Sequence, residues 1–363
     1  MSICQLGVGV KASTEKWLNI VSGRQSGIIP GLTRFILRIC SYPYSWYMQL
    51  RNQAYQRGWA KKQSVTVPVI VVGNLTTGGT GKTPVVEFVA RWFRDHELQV
   101  AILSRGYGNE IGRNDEALVL EENLPDVPHL QGADRVALAQ MAIEELETEL
   151  LVLDDGFQHR RLQRDLDIVL IDATCPWGYG FCLPGGLLRE PVRGIRRAGL
   201  VVITRVDQVN PKQLTAIRET VREIHPACPV VLSNHVPRCL QNTSEQQALD
   251  ELKQREVLAF CGIGNPEAFW QTLRRTGCNI LDTRIFPDHF NYQRHDVEKL
   301  AEWVRLFPQG TWVVTTQKDF VKLRIDDLGG KPLWSLPIAL EVCEGREHIE
   351  SALSEVLSRC NSG

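Results

Sequence analysis

Residues 73–83 read Gly73-Asn74-Leu75-Thr76-Thr77-Gly78-Gly79-Thr80-Gly81-Lys82-Thr83. An apolar, β-branched run from Val67 to Val72 precedes them, and a helical pattern from Pro84 to Arg94 follows. Strand, glycine-rich loop and helix in that order are the context of a phosphate-binding loop. The glycines let backbone N–H groups approach phosphate oxygens, and the helix start adds the positive end of its dipole. Lys82 then reaches the β- and γ-phosphates, and Thr83 ligates Mg²⁺. In the pattern G-x-x-x-x-G-K-[ST] the first glycine falls at Thr76, so this loop is a variant whose nearest upstream glycine is Gly73.

Leu150 to Asp155 (LLVLDD) is a second chemical element, an apolar strand ending in carboxylates. A divalent ion bridging nucleotide phosphates needs hard oxygen ligands there, and Asp154 or Asp155 can supply one directly or through water. Val201 to Asp207 (VVITRVD) bears on the choice of nucleotide. A strand ending in T-R-x-D is similar to the element by which GTPases read guanine; alternatively Asp207 caps the helix after Pro211, the reading we favour. Open α/β sheets place active sites at strand ends. Ser104-Arg105-Gly106-Tyr107, Asn114-Asp115-Glu116, Gln158-His159, Arg189-Glu190 and Asp288-His289 all stand at such ends.

The elements that must position these groups follow from hydrophobic spacing. Buried-strand candidates are Val100 to Leu103, Leu150 to Leu153, Asp167 to Ile171, Leu200 to Ile203, Val257 to Phe260 and Trp312 to Thr315. Helical stretches such as Ala133 to Glu147 and Pro211 to Ile224 separate most of them, which implies an α/β fold with a mostly parallel sheet covered by helices. Upstream, Leu32 to Gln56 has helical spacing with a break or kink expected at Pro43. No acidic residue lies between Glu15 and Glu87, whereas arginines and aromatic residues crowd residues 34–59. The uncharged run Ile39 to Leu50 is too short to span a bilayer, which takes roughly 20 apolar residues. It either lies on a membrane surface or packs on its own domain.

The chain has 363 residues, 43% hydrophobic and 23% charged, with net charge -1, which fits two lobes or one large domain and excludes a largely disordered chain. The charge balance does not point to nucleic acid, and no obligate protein partner is inferred. Ten cysteines are scattered without metal-ligand spacing, and we expect reduced thiols in a cytosolic compartment. Nothing at the N-terminus reads as a cleavable signal.

Several segments together resemble one family. GNLTTGGTGKTP at 73–84, SRGYG at 104–108, DEA at 115–117, DDGFQHRRLQRDLDIVLID at 154–172, LPGGLLREP at 183–191 and FPDHFNY at 286–292 look like the successive motifs of the tetraacyldisaccharide 4′-kinases. The resemblance implies transfer of the ATP γ-phosphoryl group to the 4′-hydroxyl of tetraacyldisaccharide 1-phosphate. It also implies a larger P-loop NTPase-like lobe and a smaller α/β lobe joined by a hinge, to which the spacing and charge of residues 32–56 add an N-terminal interfacial helix. The corresponding division is an extension at 1–30, a basic aromatic helix at 31–63, a P-loop domain at 64–206, a smaller lobe at 207–320 and a C-terminal segment at 321–363. Residues 1–30 match nothing in the family.

Carried over, residues 73–83 bind ATP, Thr83, Asp154 and Glu190 hold Mg²⁺, and Asp155 supports catalysis. Asp115 matches the catalytic aspartate, and His289 the histidine that pairs with it across the lobes. A lipid acceptor implies work at a membrane surface, on the cytoplasmic face of a bacterial inner membrane, as a peripheral or monotopic protein. The competing resemblance is to MinD/ArsA-like ATPases or metallochaperone-type nucleotide switches, whose loop shares Gly78 to Thr83 but carries an additional lysine where Thr77 stands.

Overall fold

The structure is a computed structural model and describes residues 16–106 and 115–360. Tyr107, Gly108 and Asn114 of the motifs above, and the first half of the 1–30 extension, lie outside the described residues. The chain forms two compact units. The first comprises residues 1–82, 155–232 and 344–363, and the second comprises 83–154 and 233–343. The chain therefore passes between units at four points, and the units do not follow a sequential division at residue 207.

The first unit opens with a helical stretch at 16–21. Helix α1 (Ile28–Gln56) follows and continues through Pro43 as one assigned helix. Strand β1 (Val69–Asn74) is buried along its whole length and pairs in parallel with β5 (Leu166–Asp172), Ile70 facing Leu166. β5 pairs in parallel with β6 (Leu200–Thr204), and β6 with the start of β7 (Val230–Pro237). Buried parallel strands carry continuous apolar runs, as Ile168–Ile171 and Leu200–Ile203 do. Their core holds Leu75, Phe157, Val169, Ile203 and, from helix α5 (Pro211–Ile224), Ile217 and Val221. The N-cap of α5 is Asn210, in a capping box with Gln213. Asp207 is therefore not the cap; it sits in a short turn, and Pro211 in the first helical position fixes the cap one residue before itself.

In the second unit, β4 (Leu150–Asp154), β2 (Val100–Ser104) and β3 (His129–Gln131) pair in parallel in that order. Helices α2 (Lys82–Arg94, entering from the phosphate loop), α3 (Asp115–Asn123) and α4 (Arg135–Leu146) belong with them. The unit's other sheet has β10 (Glu256–Cys261) between β11 (Asn279–Ile285) and β12 (Trp312–Thr316), all parallel. β14 (Lys331–Leu336), paired antiparallel with the two-residue strand β13 (Asp327–Leu328), extends it in parallel. The two-residue strand β8 (Leu240–Gln241) pairs with β14 antiparallel and with β9 (Gln246–Gln247) antiparallel. Helix α6 (Pro266–Arg275) buries Phe269, Trp270 and Leu273 in one core, while α7 (Arg294–Arg305) and α8 (Gln317–Leu323) bury Trp303 and Phe320 in another.

Candidate active site

Strand β1 delivers the phosphate loop. Gly73 and Asn74 belong to the strand itself, and a Cβ at Gly73 would meet the Phe157 Cβ at 2.7 Å and its backbone N at 2.8 Å. Gly73 therefore serves close packing of Phe157, which the glycine spacing alone did not reveal. Asn74 is buried and donates from Nδ2 to Thr80 Oγ1 at 2.8 Å, a tie across the loop, and its own carbonyl accepts from Gln158 Nε2 at 2.8 Å. Thr76 bridges to Leu188, and Thr77 N donates to the Leu187 carbonyl at 2.7 Å. Gly78 and Gly81 have φ of 111° and 78°, a region that side chains disfavour. Added Cβ atoms at Gly78 and Gly79 would meet nothing within 4 Å, so the crown of the loop is open to a ligand.

Lys82 leaves the loop with its Nζ 3.5 Å from Asp155 Oδ1. Arg189 Nη1 donates to both oxygens of Asp155 at 2.8 Å. Burial pushes the Asp155 carboxyl up, but Lys82 and Arg189 outweigh it and the net shift is downward. Asp155 also adopts a left-handed φ of 53° at the end of the LLVLDD strand. An anion delivered to Lys82 thus finds a cation already oriented by a fixed carboxylate.

Thr83 and Asp154 belong to the second unit, Thr83 in the first turn of α2 and Asp154 buried at the end of β4. A hydroxyl and a carboxylate are hard oxygen donors that suit Mg²⁺. Among the described residues, no group of three or more His, Cys, Asp or Glu could by itself hold a metal ion. Mg²⁺ bound with a nucleotide takes its remaining ligands from phosphates and water. Glu190 in the first unit is fully buried and accepts from Arg197 at 2.9 and 3.0 Å, Asn52 at 2.8 Å and Gln158 at 3.0 Å. Its oxygens are thus engaged by N–H donors from α1, from the DDGFQ segment and from its own segment.

The second unit assembles the expected pair. His289 Nδ1 lies 2.8 Å from Asp115 Oδ2 and 3.0 Å from Oδ1. The resemblance implied a pair across lobes; instead both residues fall within one compact unit, because residues 83–154 pack with 233–343. Asp115 is the first residue of α3 and buried, whereas the His289 side chain is 54% exposed. Burial raises the Asp115 pKa, but the hydrogen bond from His289 and the charges of Lys318, His289 and Lys322 hold it well below the usual carboxylate range. The same bond to Asp115 raises His289 against a smaller opposing effect of burial.

The two lysines were not singled out in the sequence, although their spacing in QKDFVKL puts them one turn apart on α8. Lys322 Nζ sits 3.2 Å from Asp115 Oδ2 and donates to the Phe290 carbonyl at 3.2 Å, so it joins the aspartate to the histidine's loop. Lys318 Nζ pairs with Glu116 at 2.7 Å.

His289 itself adopts a left-handed φ of 54°. Its N–H donates to the Gly262 carbonyl at 3.1 Å, and Asp319, fully buried, accepts from Gly262 N at 2.9 Å, Tyr292 OH at 3.0 Å and Thr316 Oγ1 at 2.6 Å. Aromatic rings complete the support, with Phe286 and Phe290 ring centroids 4.9 Å apart and tilted, and Phe290 and Tyr292 5.1 Å apart and edge-on. Of the other strand-end groups, Ser104 Oγ meets His129 Nε2 at 2.8 Å.

The helix α1 has an inverted pattern. Its inner face carries polar ties: Tyr44 OH to the Arg189 carbonyl at 2.9 Å, Arg51 to the Gln158 carbonyl at 2.8 Å, and Asn52 to Glu190. Gly185 permits close approach, since its Cβ would lie 2.8 Å from Arg38 Cα. Ile29, Leu32, Phe35, Ile39, Trp46 and Tyr47 are exposed. Within the described residues no helix is long and apolar enough to cross a membrane.

The comparisons agree on one family. The model described as Tetraacyldisaccharide-1-P 4'-kinase matches residues 33–358. A tetraacyldisaccharide 4'-kinase of Anaeromyxobacter dehalogenans is 36% identical over 342 residues, 88% of this chain and 89% of that protein. One from Geobacter sulfurreducens is 34% identical over 364 residues, 95% of this chain and 99% of its own. Among solved structures, LpxK from Aquifex aeolicus in complex with ATP matches with TM-score 0.71 and 31% identity, covering 89% of this chain and 99% of that one. The chain belongs to the tetraacyldisaccharide-1-P 4'-kinase family.

Proposed function

We infer that this protein is an ATP- and Mg²⁺-dependent kinase that phosphorylates the 4′-hydroxyl of tetraacyldisaccharide 1-phosphate in lipid A synthesis. Family membership over residues 33–358 is the observation that carries this conclusion. The chain's own residues supply a mechanism. The loop from Gly78 to Lys82 receives the ATP phosphates on backbone N–H groups and the Lys82 ammonium, which Asp155 and Arg189 keep in place. Thr83 and Asp154 would hold the metal, which when bound neutralises charge across the β- and γ-phosphates.

A sugar hydroxyl is a poor nucleophile at neutral pH, so its proton needs an acceptor within hydrogen-bond reach. The Asp115–His289 pair serves as that acceptor. The bond from His289 and the charges of Lys318 and Lys322 hold its carboxyl well below the usual carboxylate range, and its imidazole is oriented by the bond to Asp115. Incubation of purified protein with ATP, Mg²⁺ and detergent-dispersed tetraacyldisaccharide 1-phosphate tests the assignment. The expected product is one phosphate heavier and carries it at the 4′ position; consumption of ATP with no phosphorylated lipid contradicts it.

The helix α1 supports a peripheral or monotopic position on the cytoplasmic face of the inner membrane. A contiguous exposed apolar stripe on a helix flanked by arginines suits an anionic bilayer surface, and its inner face is tied to Arg189 and Glu190 beside the phosphate loop. Docking α1 on the bilayer would thus bring the loop's unit to the lipid acceptor.

A further inference from the structure

The T-R-x-D element at 204–207 has no part in the mechanism above, yet its first two side chains end on the phosphate loop. Thr204, fully buried at the end of β6, donates from Oγ1 to the Thr80 carbonyl at 3.1 Å. Arg205 donates from Nη2 to the Gly79 carbonyl at 2.9 Å, and its Nη1 pairs with Asp172 Oδ2. Asp172 is fixed in turn, since its Oδ1 accepts from Thr174 N at 2.9 Å and from Thr174 Oγ1 at 2.7 Å. Arg205 reaches the loop from a left-handed backbone, φ 57°, which a non-glycine residue adopts at a cost.

A phosphate loop works only while its carbonyls point away from the anion. In a trans peptide the C=O and the following N–H point in opposite directions, so holding a carbonyl on one side aims an N–H to the other. The Thr80 carbonyl shares its peptide plane with Gly81 N–H; with Thr204 holding the carbonyl, that N–H faces the opposite side. Arg205 fixes the Gly79–Thr80 plane from its carbonyl end, while the Thr80 N–H donates to the Gly78 carbonyl at 3.0 Å and closes the turn at the crown of the loop. The charge of Arg205 is matched by Asp172, so it orients the loop without competing for the phosphate.

We propose that Thr204 and Arg205 are positioning residues that set the peptide planes of the phosphate loop for ATP, and that the T-R-x-D element is committed to this task and does not read the base. The proposal rests on the phosphate-loop reading of residues 78–82. Arg205→Met, Arg205→Lys and Asp207→Ala are compared with the parent for KM of ATP, KM of the lipid acceptor, the ATP-to-GTP preference and thermal midpoint.

Loss of a charged hydrogen bond to the loop should raise the ATP KM of Arg205→Met about ten- to a hundred-fold, with the lipid KM within about twofold. Arg205→Lys, which keeps the charge on a shorter reach, should recover part of that loss. Asp207→Ala should leave the ATP-to-GTP preference unchanged. An unchanged ATP KM in Arg205→Met overturns the proposal. So does an equal loss on both substrates with a lowered midpoint that Arg205→Lys does not relieve, and so does a changed ATP-to-GTP preference in Asp207→Ala. If the parent binds no ATP, the phosphate-loop reading falls and the proposal with it; if the parent binds and Arg205→Met binds equally well, only the proposal fails.

Discussion

Replacing Lys322 with methionine keeps the length of the side chain and removes one charge from the Asp115–His289 pair. Its Nζ is 3.2 Å from Asp115 Oδ2, and the two side chains are 12% and 5% exposed. At that separation and an effective dielectric of about 20, the direct attraction is about 5 kcal/mol, an upper bound because burial of the lysine costs part of it back. His289 and Lys318 remain to stabilise the carboxylate, so only part of the depression of Asp115 should be lost.

The sign follows from Asp115 being depressed in the fold. Its contribution to stability is present above the unfolded value of 3.8 and is lost as pH falls through the folded value, so the variant should be destabilised at neutral pH and approach the parent under strongly acid conditions. Thermal melts across pH, with the pH dependence of kcat, are the assay. The acid limb of kcat should move up in pH with little change in the KM of ATP. Coincident melting curves at neutral pH, or an acid limb that stays in place, would rule out this role for Lys322.

The buried Glu190–Arg197 pair should be costly to break. Arg197→Ala strands a carboxylate that two other donors only partly satisfy, so a loss of about 3–5 kcal/mol is expected in denaturant unfolding, more than in Glu190→Gln. Gly73→Ala places a methyl group 2.7 Å from Phe157 Cβ and should destabilise by about 1–3 kcal/mol, with weaker ATP binding by titration. Phe35→Ser with Ile39→Ser and Trp46→Ser should lower co-sedimentation with anionic vesicles while leaving the thermal midpoint near that of the parent, since these side chains face outward. His289→Ala removes the strongest interaction lowering Asp115, so the acid limb of its residual activity should also rise in pH.

The parallel strands and the loop were legible because each is a local pattern: an apolar run, a glycine cluster, a lysine at a helix start. Even so, β1 extends through Gly73 and Asn74, and the reason for Gly73 is Phe157, a residue 84 positions away that spacing cannot reveal. Helix α1 begins at Ile28, four residues before the periodic run, because a proline in the first turn gives up no intrahelical bond. The grouping of 83–154 with 233–343 was hidden, since composition does not record which distant segments share a core. Strands of two residues such as β8 and β9 have too few positions to show alternation. At the candidate site, Asp115 and His289 came from family motifs; Lys318 and Lys322 stand behind them, and their spacing alone is indistinguishable from a solvated helix face until the fold lays α8 against α3. The T-R-x-D element was noticed, but its direction was not, because the side chain of Arg205 turns back on a left-handed backbone.

The measurement that bears most directly on the account is single-turnover phosphoryl transfer by Asp115→Asn, with ATP binding and lipid binding measured on the same protein. Asparagine keeps the shape and removes the charge that accepts a proton. Binding of both substrates should stay close to that of the parent, with transfer slowed about 10²- to 10⁴-fold, the range of general base catalysis. Transfer at close to the parental rate would contradict it.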